Sequence, residues 1–162
     1  MIKSTVKLVF FFVSIYAQTY NQDLKHKTNG LWLYDNSKSN YIALDELTID
    51  KTFVFTFFNT KINQSINALN KINQISFSLE KSSLVFCNIN VFEDSKSINK
   101  YKSKYANSMK VLYDKRGILF DRFQLENIPV TIIFNDGEIK YIMNDYSENS
   151  IHELINNIYK VL

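Results

Sequence analysis

Asn127-Ile128-Pro129-Val130-Thr131-Ile132-Ile133-Phe134-Asn135-Asp136-Gly137-Glu138-Ile139-Lys140-Tyr141-Ile142-Met143 carries more architectural information than any other part of this 162-residue chain. Val130 to Phe134 is apolar and β-branched, the composition of a buried strand. Asn135-Asp136-Gly137 predicts a tight turn, because glycine takes positive φ without steric cost. Ile139 to Met143 then returns as the second strand of a hairpin. Pro129, the sole proline of the chain, stands directly before the first of these strands. There it removes a ladder donor and fixes φ, so it marks a rigid strand entry at an Ile128–Pro129 bond for which the cis form is open as well as the trans.

The length suits one domain with a substantial core. A content of 46% hydrophobic and 15% aromatic residues excludes a chain disordered by composition. Abundant Asn, Lys and Ile beside three glycines and one proline reads as the bias of an AT-rich coding sequence. Residues 1–17 differ from the rest: Lys3 and Lys7 at a charged start, an apolar run from Leu8 to Tyr16, then Ala17. This is the layout of a secretory signal peptide, although Ile15 is larger than the usual residue near the cut. The apolar run is about half of the ~20 residues that span a bilayer. Export is expected, with an uncleaved anchor and a buried N-terminal strand as the alternatives. Loss of this segment and its two lysines takes the formal charge from +3 to +1, which gives no basic footprint for nucleic acid. Cys87 is the only cysteine, so no internal disulfide framework exists. Within Leu84-Val85-Phe86-Cys87-Asn88-Ile89 it is expected to act as a small buried hydrophobe.

Residues 18–30 are polar and read as a flexible lead-in. Leu31–Tyr34, a polar turn over 35–40 and Tyr41–Leu44 predict a strand, a turn and a strand, followed by a short loop to Lys51. Thr52 to Phe58 is β-branched and aromatic throughout, as in a central strand covered on both faces. Ile62, Ile66, Leu69, Ile72, Ile75 and Leu79 recur at helical spacing. Leu84–Val91 is a second buried strand. A lysine-rich helix with a solvated face is expected over about 95–107, then a short strand at Val111–Tyr113, a turn at Asp114–Gly117 and a short helix from Ile118 to Leu125. Ser150 with Glu153 fits a capping box ahead of a closing helix whose stripe is Ile151, Leu154, Ile155, Ile158 and Tyr159. The strand–helix–strand order implies a right-handed parallel crossover, and no internal repeat is present.

Ile-Pro, a hydrophobic strand, Asp-Gly and a second strand together resemble the cis-proline segment of thioredoxin-like proteins. The order of elements over 31–162 resembles the extracytoplasmic thioredoxin/redoxin type with an N-terminal addition. The resemblance implies an α/β, thioredoxin-like three-layer fold with a mixed central sheet, helices on both faces and an N-terminal β-hairpin. In that family the strand matching Phe53–Phe58 leads to Cys-x-x-Cys at a helix start, where the helix N-terminus stabilises the attacking thiolate. Laid on this chain, the motif falls on Ile62-Asn63-Gln64-Ser65. Ile62 stands in place of the attacking cysteine and Ser65 in place of the resolving one, and neither can exchange disulfides. Thr56 stands where some members keep a buried acid. The residue before the cis-proline, here Ile128, offers its backbone to extended peptide in the family. Lys61, Ile62, Asn63, Ile128 and Pro129 are accordingly the candidate peptide-binding residues, the alternative being a scaffold retained after activity was lost.

The expectation is an exported, redox-inactive thioredoxin-like protein that acts as a protein-binding or accessory module for a protein or extended peptide. Two rivals stand beside it: a thioredoxin/redoxin-type oxidoreductase or peroxidase that uses Cys87, and a structural subunit of an envelope or secretory assembly. Ser65 as a nucleophile would need a positioned base, and the two histidines, His26 and His152, fall in the lead-in and the closing helix. No metal-ligand spacing or phosphate loop appears, so no cofactor, metal or nucleic acid is expected, and membrane contact only through the N-terminal segment. Asn63-Gln64-Ser65 is also a glycosylation sequon, of a kind that chance supplies in a chain this rich in Asn and Ser.

Overall fold

The computed structural model describes residues 28, 30–35, 37–48, 50–79, 81–94, 96, 97, 99 and 109–162. The expected signal segment 1–17, nearly all of the lead-in with His26, and most of the lysine-rich helix expected over 95–107 lie outside them. In chain order the described elements are β1 (Trp32–Asp35), β2 (Asn40–Ala43), α1 (Leu44–Thr48), β3 (Thr52–Phe58), α2 (Asn63–Ser78), β4 (Leu84–Val91), β5 (Lys110–Asp114), α3 (Ile118–Arg122), β6 (Val130–Asn135), β7 (Glu138–Met143) and α4 (Glu148–Val161). The strands form one seven-stranded sheet in the order β2-β1-β5-β4-β3-β6-β7. β3, β4 and β5 run parallel, and the remaining pairings are antiparallel. This is an α/β mixed sheet of thioredoxin-like form with an added N-terminal hairpin.

β3 lies inside the sheet between β4 and β6, and all seven of its residues are buried. Its alternation supplies both layers. Phe53, Phe55 and Phe57 pack with Leu44 of α1, Leu119 and Phe120 of α3, and with Phe123 and Phe134. On the opposite face Val54 meets Ile72 and Ile75 of α2 and Leu154 and Ile158 of α4, while Phe58 packs with Leu69, Val111 and Tyr113. The four β3 phenylalanines are fully shielded, and each contributes about 1.5–3 kcal/mol of transfer free energy.

The β6–β7 hairpin turns on Asp136 and Gly137, both at positive φ (51° and 76°), as a two-residue loop matched to strand twist requires. Ile133 pairs with Tyr141 but Phe134 with Ile139, so Lys140 is the extra residue of a β-bulge. At the far end of β4, Phe92 sits at φ 63°. Its ring lies against Gly117, where a Cβ would come within 2.1 Å of it, and meets Phe120 edge-on at 5.9 Å between centroids.

Three differences from the sequence reading go beyond a one-residue shift of a strand end. Leu44, expected to end a strand, instead starts α1 across the expected loop. Its side chain is buried, and the Thr48 hydroxyl donates to its carbonyl at 3.0 Å. α3 stops at Arg122, short of Leu125, because Gln124 takes φ 54°. α4 begins at Glu148, with Ser147 as its N-cap. Ser147 Oγ accepts from the Ser150 N–H (3.3 Å), and the Asp145 carboxylate accepts from both serine hydroxyls at 2.7 Å. Ser150 is thus the third residue of the helix and not its cap.

Candidate functional site

β3, β4 and β5 end on the same edge of the sheet, and the loop Asn59–Lys61 carries the chain from β3 into α2. Ligands of parallel sheets bind beyond such strand ends. Ile62 is the N-cap of α2, with an extended backbone (φ −102°, ψ 112°) and no side-chain cap bond. It is half-buried, while Lys61, Asn63 and Gln64 are exposed. Ser65 is fully buried. Its Oγ accepts from the Asn59 N–H at 3.2 Å, and its own N–H donates to the Ile62 carbonyl at 2.9 Å. The Ser65 hydroxyl therefore fastens the loop from below.

The strongest anchor of this loop is a residue that sequence reasoning did not single out. Glu93 is 4% exposed, and its carboxylate accepts from the Thr60 N–H at 2.6 Å and from the Thr60 hydroxyl. It also accepts from Asn90 Nδ2 at 2.7 Å. Charge-assisted bonds of this kind are about twice as strong as neutral ones. Asn59 adds two more ties, donating from Nδ2 to the Val91 carbonyl at 2.9 Å and accepting from the Lys61 N–H at 3.0 Å. The available signal was the alternation of Asn88 and Asn90 in an otherwise apolar strand, with an acid three residues beyond.

Beneath α2 the sheet carries a polar row. Thr56 Oγ1 lies 3.0 Å from Thr131 Oγ1, which lies 2.9 Å from the Tyr146 hydroxyl. Burial pushes the Tyr146 phenol upward from its ordinary value. Thr56 is fully buried, so its hydroxyl is shielded within this chain of hydroxyls. Next along the row, Asn88 is buried with neither side-chain atom hydrogen-bonded.

The Ile128–Pro129 bond is cis. Ile128 is half-buried against the phenylalanine layer. Pro129 is buried and lines a hollow of about 660 Å³ between α2 and the loop from Asn144 to Ser147. Gln64, Asn67 and Lys71 line that hollow, whereas Lys61, Ile62, Asn63 and Ile128 do not. Cys87 lies in mid-strand on the phenylalanine face, 1% exposed, with its thiol pushed up to about 12 by burial. His152 is exposed on α4. Among the described residues no group of three or more His, Cys, Asp or Glu could hold a metal ion, and no helix is long and apolar enough to cross a membrane.

No protein-family model matches the chain, and no curated protein matches its sequence. Solved structures do match. A protein described as the thiol:disulfide interchange protein DsbE from Chlorobium tepidum superposes with a TM-score of 0.72 at 11% identity, covering 81% of this chain and 92% of its own. A secreted disulfide oxidoreductase of Mycobacterium tuberculosis gives 0.66 at 16% identity, over 86% and 98%. StoA from Bacillus subtilis gives 0.65 at 11%, over 79% and 95%. The chain has the thioredoxin-like fold.

Proposed function

We propose that this chain is an exported thioredoxin-like module without dithiol chemistry, which binds a protein or extended peptide through the face bearing Lys61, Ile62, Asn63, Ile128 and Pro129. One observation carries the reading. At the helix start where a thioredoxin-like enzyme needs two thiols, the chain offers Ile62 and a Ser65 hydroxyl already engaged with the loop above it. What remains there is a rigid strand-end loop, a half-exposed isoleucine and exposed polar neighbours, which suit contact and not electron transfer. Export rests on the layout of residues 1–17 and agrees with the secreted character named for one structural neighbour.

The second reading, an oxidoreductase or peroxidase, draws on the names of the structural neighbours. It would have to run through Cys87, the only sulfur nucleophile in the chain. A shielded thiol titrating near 12 holds a negligible thiolate fraction at neutral pH. The two readings separate in an insulin-reduction assay with dithiothreitol, using Cys87→Ser as the control. No turnover above the control is expected, together with slow thiol labelling in the native state and fast labelling after unfolding. Turnover that Cys87→Ser abolishes overturns the proposal. For the binding face, Ile62→Asp should leave the melting temperature nearly unchanged, since an acid suits a helix N-terminus, and should lower partner capture about tenfold.

A further inference from the structure

The sheet opens between β1 and β5. β1 pairs with β2 along its whole length, from Trp32–Ala43 to Asp35–Asn40, but with β5 only at Tyr34–Tyr113 and Asp35–Leu112. Before Tyr34 the strand leaves its neighbour, and between residues 30–34 and 113–122 lies a cleft of about 930 Å³. That volume is at the upper end of the range typical of ligand sites. The Leu44 N–H donates to the Leu31 carbonyl at 2.9 Å, so Leu31 and Leu33 direct their main-chain groups toward β2. By the alternation of an antiparallel pair, the N–H and C=O of Trp32 face the cleft, on the side where β5 has already ended.

The walls are unusual for a surface. Trp32 and Tyr41 line the cleft while 58% and 64% exposed, and Ile118 lines it at 50%. Tyr34 lies edge-on between Tyr41 and Tyr113, with centroids at 5.2 and 6.1 Å. The charged lining is Lys115, Arg116 and Arg122 against one acid, Asp114. That acid faces inward: it is 4% exposed, and its carboxylate accepts from the Phe120 N–H at 2.9 Å. Burial holds it above the ordinary carboxylate range. The accessible charge of the cleft is therefore positive.

We propose that this cleft binds an acidic, extended peptide segment bearing apolar side chains. Its backbone continues the interrupted ladder at Trp32, its apolar side chains lie against Trp32, Tyr41 and Ile118, and its carboxylates face Lys115 and Arg116. An unpaired strand flank gives backbone affinity and alternate side chains give selectivity, while the basic rim selects for acids. This site shares no residue with the α2 face and stands or falls without it.

Trp32 is the only tryptophan of the chain, so its emission reports occupancy directly. The probe is the blocked octapeptide (Glu-Val-Glu-Phe)₂, titrated into the full chain beside its counterpart with Lys for every Glu. A saturable blue shift with the acidic peptide alone is expected. Affinity should fall about tenfold in Lys115→Glu/Arg116→Glu, and again as salt is raised enough to shorten the screening length. Tyr41→Ser, at an exposed position, should weaken binding with no change in charge or fold, and circular dichroism checks that each variant is folded. Absence of a saturable shift overturns the proposal, as does an equal response to the lysine peptide or unchanged affinity in the charge-reversed variant. A free-chain spectrum already blue-shifted and unresponsive to peptide also overturns it, because the chain would then fill its own cleft.

Discussion

The two faces of β3 are built to different rules. On one, Phe53 and Phe55 stack at 5.1 Å, Phe57 meets Phe120 and Phe123 edge-on, and Phe123 stacks on Phe134 at 5.8 Å. On the other, the same strand presents Val54, Thr56 and Phe58 toward α2 and α4, and Thr56 belongs to a buried row with Thr131, Tyr146 and the unpartnered Asn88. The first face is a dry aromatic layer, and its stability comes from area and packing. The second places polar groups under the helix whose start carries the candidate site, within an apolar cluster of its own. The contrast separates a layer that supports the fold from a layer that carries polar groups to the start of α2.

The largest test strikes the dry layer. Phe55→Ala removes a fully shielded ring and should cost about 3–5 kcal/mol in denaturant unfolding. A loss under about 1 kcal/mol would mean the layer can collapse around the gap, and the contrast would weaken. Glu93→Ala comes next: it strips partners from the Thr60 N–H and from Asn90, at a cost of about 1–3 kcal/mol, with faster amide exchange at residues 59–61 as its local signature. Unchanged exchange there would show that Asn59 and Ser65 hold the loop without the acid. Asn88→Leu should go the other way, leaving stability equal or raising it by about 1 kcal/mol, because it replaces an unpartnered buried amide with an apolar group of similar size. A clear loss would reveal a buried water serving that amide. The last effect is absent at neutral pH. Folding raises the Cys87 pKa from about 9 to about 12, so the folded state favours the protonated thiol. Its contribution is full below pH 9 and is lost as pH climbs through that interval. Cys87→Ala should therefore lose less stability than the parent chain between pH 9 and 12, and parallel curves would refute the shielding of the thiol.

Most of the scaffold was legible because its signals are local. An unbroken apolar strand, a helical stripe and Asp-Gly between two strands each announce themselves within ten residues. The boundaries that shifted depend on a side chain reaching back: Asp145 and Ser147 cap α4 ahead of the more obvious Ser150, and Leu44 turns inward to start α1. Ile62 and Ser65 could be assigned to the helix start by alignment, but the role of Ser65 as a fastener could not. That role needs Asn59 folded over it, just as Glu93 needs Thr60 brought to it from 33 residues away. The opening between β1 and β5 left no trace in the sequence, where Lys115-Arg116-Gly117 looks like any polar turn. A parting of two strands is a property of pairing, and pairing is settled only when the sheet is assembled.

Gly117 and Phe92 form a lock with an evolutionary consequence. The ring occupies the space any Cβ at 117 would need, and the backbone there is left-handed at φ 71°. Two independent barriers thus guard a single position. A lineage that replaced Phe92 with a small residue would remove the first barrier and leave the second, so asparagine would become admissible at 117 where alanine would stay strained. In the reverse order, any substitution at 117 meets the ring first. The two barriers differ in kind: Phe92 is 51% exposed and its ring can swing toward solvent, whereas the left-handed backbone stays, so glycine and then asparagine remain the residues position 117 admits.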